Sequence, residues 1–104
     1  MAKLTILYWR DIPAQVVAKA GRDEARRELE PRFLMAIDSA AMKAGMHGND
    51  AYLEQWRRGT PDPCGDDLEA EVEAAKERLE SAYDRRRLAA LVNSGGVADE
   101  GAGA

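Results

Sequence analysis

A chain of 104 residues with a formal net charge of -4 and 6% aromatic residues is one domain with a thin core, whose stability is marginal or shared with a partner. The negative balance argues against nucleic-acid phosphates or an anionic membrane as the main partner, no apolar stretch approaches the roughly 18 residues of a membrane span, and the N-terminus lacks the basic region and apolar run of a signal peptide. One cysteine cannot form an internal disulfide, so a soluble cytoplasmic protein is expected.

Leu4 to Trp9 is rich in β-formers and predicts a strand. Both of its faces carry apolar groups, Leu4, Ile6 and Tyr8 on one and Leu7 and Trp9 on the other, so both faces call for cover. Ala14 to Lys19 predicts a second strand, with Arg10 to Pro13 as the connection. Pro13 has no N–H and belongs at the turn or at the strand's start. Gly21 ends the hairpin. Arg22 to Leu29 is charged and helix-prone, and Pro31 interrupts it, because proline is tolerated only in a helix's first turn. The main helix is then expected from Pro31 to about Ala44. Leu29, Phe33, Ile37, Ala40, Ala41 and Ala44 recur at helical spacing as its buried face, and Gly45 is placed as its C-cap.

Asn49 or Asp50 is expected to cap a short helix through about Arg58, with Tyr52, Leu53 and Trp56 on one side. Gly59 to Gly65 holds two prolines and two glycines and reads as irregular. Asp66 followed by Glu69 resembles a capping box. The helix it opens carries Leu68, Val72, Ala75, Leu79 and Tyr83 in phase. The stripe then shifts to Leu88, Leu91 and Val92, which predicts a break near Asp84. From Ser94 the chain turns to Gly and Ala with two acids. A disordered tail over 94–104 is expected, with the domain spanning 1–93. The sum is an α+β fold, an N-terminal β-hairpin packed by about three helices. Two strands alone are marginal in water. Either helices cover the hairpin or another chain pairs with its edge.

Chemistry-bearing residues are sparse. Trp9, Arg10, Asp11 and Gln15 surround the first turn and form the candidate interaction surface. An aromatic beside a charged turn supplies contact area and directed hydrogen bonds together, and Pro13 limits the ordering cost. The alternative is a turn that only folds, with Trp9 buried and Arg10 bonded within the chain. His47, the only histidine, has no second ligand at metal spacing and reads as a solvated loop residue. Cys64 lies ahead of a helix, which favours a thiolate, but Asp62, Asp66 and Asp67 oppose it and no base stands nearby. No phosphate loop, nucleophile elbow or zinc motif is present. No catalytic or metal-binding residue and no cofactor are therefore assigned.

The segments "YWRDIPAQV", "RFLMAID", "DAYLEQWRRG" and "PCGDDLEAE", in this order, resemble a family of small bacterial proteins labelled "virulence factor" domain, of the alphaproteobacterial type. The resemblance runs to about Val92. It implies an association with corrinoid-dependent methyl transfer and methionine synthesis. The Asp-x-His-x-x-Gly motif of corrinoid carriers is not matched by Gly45-Met46-His47-Gly48-Asn49-Asp50, which points to an accessory role beside such a carrier. Three readings stay open. The first is a non-enzymatic accessory or binding protein, its protein partner drawn from corrinoid methyltransferase components. The second is a small enzyme using the Trp9-Arg10-Asp11 turn or Cys64. The third is a self-associating module, a homo-oligomer.

Overall fold

A computed structural model of the chain describes residues 2–46 and 50–98. The fold is α+β, with five antiparallel strands and four helices among these residues. Strand β1 (Lys3–Trp9) and β2 (Ile12–Ala20) form the expected hairpin. Its turn is tighter than expected: Trp9 pairs with Ile12, so only Arg10 and Asp11 lie between the strands. Pro13 sits inside β2, opposite Tyr8, where the register shifts at Leu7/Tyr8. An irregular pair is where a residue without an N–H is tolerated in a ladder.

The helix-prone stretch after Gly21 is instead β3 (Asp23–Glu28), paired with β2. Gly21 and Arg22 make a two-residue turn with φ +60° at the glycine, the position a type II′ hairpin reserves for it. In β3 the pattern has period two: Ala25 is buried while Glu24, Arg26 and Glu28 are exposed. Propensity favoured a helix. The unpaired edge of β2, with nine residues of N–H and C=O groups to satisfy, outweighs it.

Helix α1 (Pro31–Lys43) begins at its proline and ends at Ala44 with Gly45 at φ +72°, as the sequence predicts. Helix α2 (Asp50–Glu54) is shorter than expected. Trp56–Arg58 forms β4 on the other side of β1, with Trp9 opposite Trp56 and Leu7 opposite Arg58. Asp62–Pro63, in the stretch read as irregular, pairs with Lys3 and Leu4 as β5. The sheet order is β3-β2-β1-β4, with β5 also on β1.

Helix α3 (Leu68–Ala82) starts one residue later than the Asp66 cap predicts. Asp67 is the N-cap and its carboxylate accepts from the Ala70 N–H. The break near Asp84 is real: Asp84 caps α4 (Arg85–Asn93) by accepting from the Arg87 N–H. Helix α3 packs on β2 and β3, and α1 on β2 and α4. The helices therefore cover one face of the sheet. Two apolar clusters lie under them. Trp9, Ile12, Phe33, Ile37, Leu88 and Leu91 belong to one, and Val16, Ala18, Ala25, Val72 and Ala75 to the other.

The tail boundary moves. Residues 94–98 dock back onto the first hairpin rather than trailing away. The Gly96 carbonyl accepts from the Asp11 N–H at 2.8 Å, and the Ala98 N–H donates to the Asp11 carboxylate at 2.6 Å. Gly95 and Gly96 are buried, and a side chain at Gly96 would collide with Trp9. Residues 99–104, His47 and the cap candidate Asn49 lie outside the described residues.

Candidate functional site

The Trp9–Asp11 turn is held from every side. Trp9 is 0% exposed, and its indole N–H donates to the Tyr52 carbonyl at 2.9 Å. Arg10 adopts φ +52°, a region costly for a residue with a Cβ. Its guanidinium donates from Nε to Gln55 Oε1 at 3.1 Å, from Nη1 to the Gly95 carbonyl at 3.0 Å and from Nη2 to Met46 Sδ at 3.1 Å. The same group lies 5.4 Å from the centre of the Trp9 ring. Asp11 accepts from Arg57 Nη2 at 3.0 Å, while Arg57 Nε donates to the Arg10 carbonyl. Trp9 and Arg10 thus have the features set out above for a turn that folds: a buried indole and a guanidinium bonded within the chain. Gln15 is not with them. It stands on the opposite face of the sheet, between Leu7 and Glu28.

A shallow cleft beside the turn is lined by Tyr8, Arg57, Tyr83 and Arg87. Arg57 lies over the Tyr8 ring at 4.6 Å and Arg87 over the Tyr83 ring at 3.8 Å. Burial, then the neighbouring Tyr83, push the Tyr8 phenol above its ordinary range, with Arg57 pulling the other way. Tyr8 is therefore a neutral donor at physiological pH.

A second concavity, about 410 Å³, lies on the face of the sheet that no described helix covers. It lies within the range of ligand and peptide pockets. Strand alternation builds it. Leu4, Ile6, Val16 and Ala18 turn toward the helices, so Thr5, Leu7, Gln15 and Val17 turn away and are half-buried. Thr5 faces Val17, and Leu7 faces Gln15. Around this floor stand exposed cations: Lys3, Lys19, Arg26 and Arg58. Arg26 is engaged by Glu24 at 2.9 Å. Lys3, Lys19 and Arg58 make no ion pair among the described residues. Only Gln15 of this floor was singled out from the sequence. Lys3, Thr5, Leu7, Lys19 and Arg58 were missed because they come together only through the β1–β2–β4 register. The alternation of Lys3-Thr5-Leu7 was the signal available.

Cys64 is half-buried against the second cluster. Burial, and then the carboxylates of Glu71 and Asp66, push its thiol above the ordinary range, opposite to what a nucleophile needs. Cys64→Ser is expected to keep full function. Alkylation of Cys64 at mildly alkaline pH is expected to be slower in the folded chain than in urea, read by mass spectrometry; a faster reaction in the folded chain refutes this. No group of three His, Cys, Asp or Glu among the described residues is placed to hold a metal, and no helix among them is long and apolar enough to cross a membrane.

Fold and site define a small α+β domain with an open-faced antiparallel sheet. The family model described as "Virulence factor" matches residues 7–92, and the chain belongs to that family. No curated protein and no solved structure matches it.

Proposed function

We propose that this chain is a non-enzymatic accessory domain that binds a protein partner on the uncovered face of its sheet. The observation that carries this reading is the trough itself: an apolar floor of Leu7, Val17 and the Thr5 methyl left bare by helices that cover only the other face. Its lining supplies contact area and charge rather than a nucleophile beside a base, which favours binding over catalysis. We extend the proposal to the cytoplasm and to corrinoid-dependent methyl transfer in methionine synthesis, with methyltransferase components as the partner. The support for that setting is the family resemblance.

The test is affinity purification from the native cell with the full chain and with Val17→Asp, after confirming that both melt alike. Recovery of methyltransferase components by the parent and their loss with Val17→Asp is the expected result. Equal recovery by both overturns the face. Recovery of other proteins alone, still lost with Val17→Asp, overturns the setting and leaves the face. If Val17→Asp unfolds, Arg58→Glu at the exposed rim takes its place.

A further inference from the structure

We propose that the occupant of this trough is an acidic amphipathic helix of the partner protein, its apolar stripe on Leu7 and Val17 and its carboxylates on Lys3, Lys19 and Arg58. The inference rests on the binding reading above and names the chemistry of the partner. Register brings the charges together. Lys3 stands directly opposite Lys19, and like charges in a cross-strand pair repel; on its other side Lys19 faces Glu24 of β3, but that carboxylate is bonded to Arg26. Arg58 is opposite Leu7 on the other side of β1. A chain of net charge -4 therefore gathers four cations and a single carboxylate, Glu24, around the floor of one face, and with Glu24 on Arg26 the other three cations, Lys3, Lys19 and Arg58, make no ion pair among the described residues. Carboxylates arriving from outside relieve that repulsion and gain charge-assisted hydrogen bonds.

The shape selects a helix. Three strands about 4.8 Å apart make a floor roughly 10 Å across, close to the 10–12 Å diameter of a helix with its side chains. The length from Lys3 to Leu7 takes about two and a half helical turns. An added strand is the poorer fit, because it needs an edge. The β3 edge reads Asp23-Glu24-Ala25-Arg26-Arg27-Glu28, dense in charge as edges that refuse pairing are, while β4 and β5 are three and two residues long. Single-stranded nucleic acid is also a poor fit, since the floor presents no aromatic ring for a base to stack on.

The probe is a synthetic helix of about four turns with leucines on one face and glutamates flanking them, compared with the same peptide carrying lysines for glutamates. Binding to the full chain is followed by backbone amide shifts. The glutamate peptide is expected to shift Thr5, Leu7 and Val17, to bind about tenfold or more tighter than the lysine peptide, and to weaken with salt. A zero-length carbodiimide should couple its glutamates to Lys19. The double variant Lys3→Glu/Lys19→Glu should invert the preference; both side chains are exposed, so the fold should persist, with a melting temperature a few degrees lower because position 19 faces Glu24 across β2–β3. Equal binding of the two peptides, shifts confined to β3, or displacement of the peptide by a single-stranded oligonucleotide overturns the proposal. So does a coupling product joining Lys19 to a carboxylate of a second copy of this chain. The cellular experiment separates the two claims. Loss of the partner with Val17→Asp but not with Lys3→Glu/Lys19→Glu removes the acidic helix and keeps the binding face.

Discussion

Gly96→Ala is expected to lower the melting temperature by at least about 10 °C. Gly96 holds φ +95°, and a Cβ there would lie 2.7 Å from Trp9 Cζ3 and 3.1 Å from Trp9 Cε3. Trp9 has no exposed area and its indole N–H is fixed on the Tyr52 carbonyl, so the ring has nowhere to retreat. Backbone strain of about 1–3 kcal/mol adds to overpacking of about 1–3 kcal/mol, and each kcal/mol is worth roughly 4–8 °C in a domain of this size. Two other glycines grade the effect. At Gly95 (φ +72°) the nearest atom is Ala44 Cβ at 3.4 Å, and at Gly45 (φ +72°) nothing lies within 4 Å. Thermal melts should rank the alanine variants Gly96 lowest, then Gly95, then Gly45. Equal losses at all three would mean that strain alone acts and that residues 94–98 do not seal Trp9. Ending the chain after Asn93 should be nearly as damaging as Gly96→Ala. Ending it after Ala98 should be mild.

That ranking marks where the sequence stops being informative. The sequence treats Ser94 onward as a tail because Gly and Ala offer little area to bury. The contribution of Gly95 and Gly96 is the reverse: lacking side chains, they let the backbone reach Trp9 and present carbonyls to Arg10 and to the Asp11 N–H. Contacts made by an absence of side chain leave no hydrophobic signal. The helices were legible because their periodicity and caps are local, as at Pro31, Gly45 and Asp84. Strands β3, β4 and β5 were not. Each is short or highly charged and exists because β1 and β2 present unpaired edges, which is information held elsewhere in the chain.

The same limit applies to the two sites. The Trp9–Gln15 stretch looked like one surface because its residues are adjacent in sequence. The two-residue turn and the Leu7/Tyr8 irregularity divide it. Trp9 and Arg10 go into the fold, Asp11 bridges Arg57 and residue 98, and Gln15 goes to the open face. The trough draws on β1, β2, β3 and the residue Arg58. No window of sequence contains it, and only the pairing of Lys3 with Lys19 and Leu7 with Arg58 assembles its rim.

Arg10→Ala is expected to destabilise the chain by about 2–4 kcal/mol, and Arg10→Gly by about 1 kcal/mol less. Both remove the guanidinium and so strip the Gln55 side chain and the Gly95 carbonyl of their donor, at a cost of about 1–3 kcal/mol for each acceptor left dry. They differ in the backbone. Arg10 sits at φ +52°, where alanine keeps the steric penalty of a Cβ and glycine does not. Urea denaturation of the pair therefore separates what the side chain holds from what the turn costs. Gln15→Ala, on the half-buried open face, should stay within about 0.5 kcal/mol of the parent. Below their melting transitions the Arg10 variants should still capture the partner taken by the parent chain, because their defect lies in the fold and the trough is on the other side of the sheet. An Arg10→Ala protein that melts with the parent yet loses the partner would return the turn to the interaction surface.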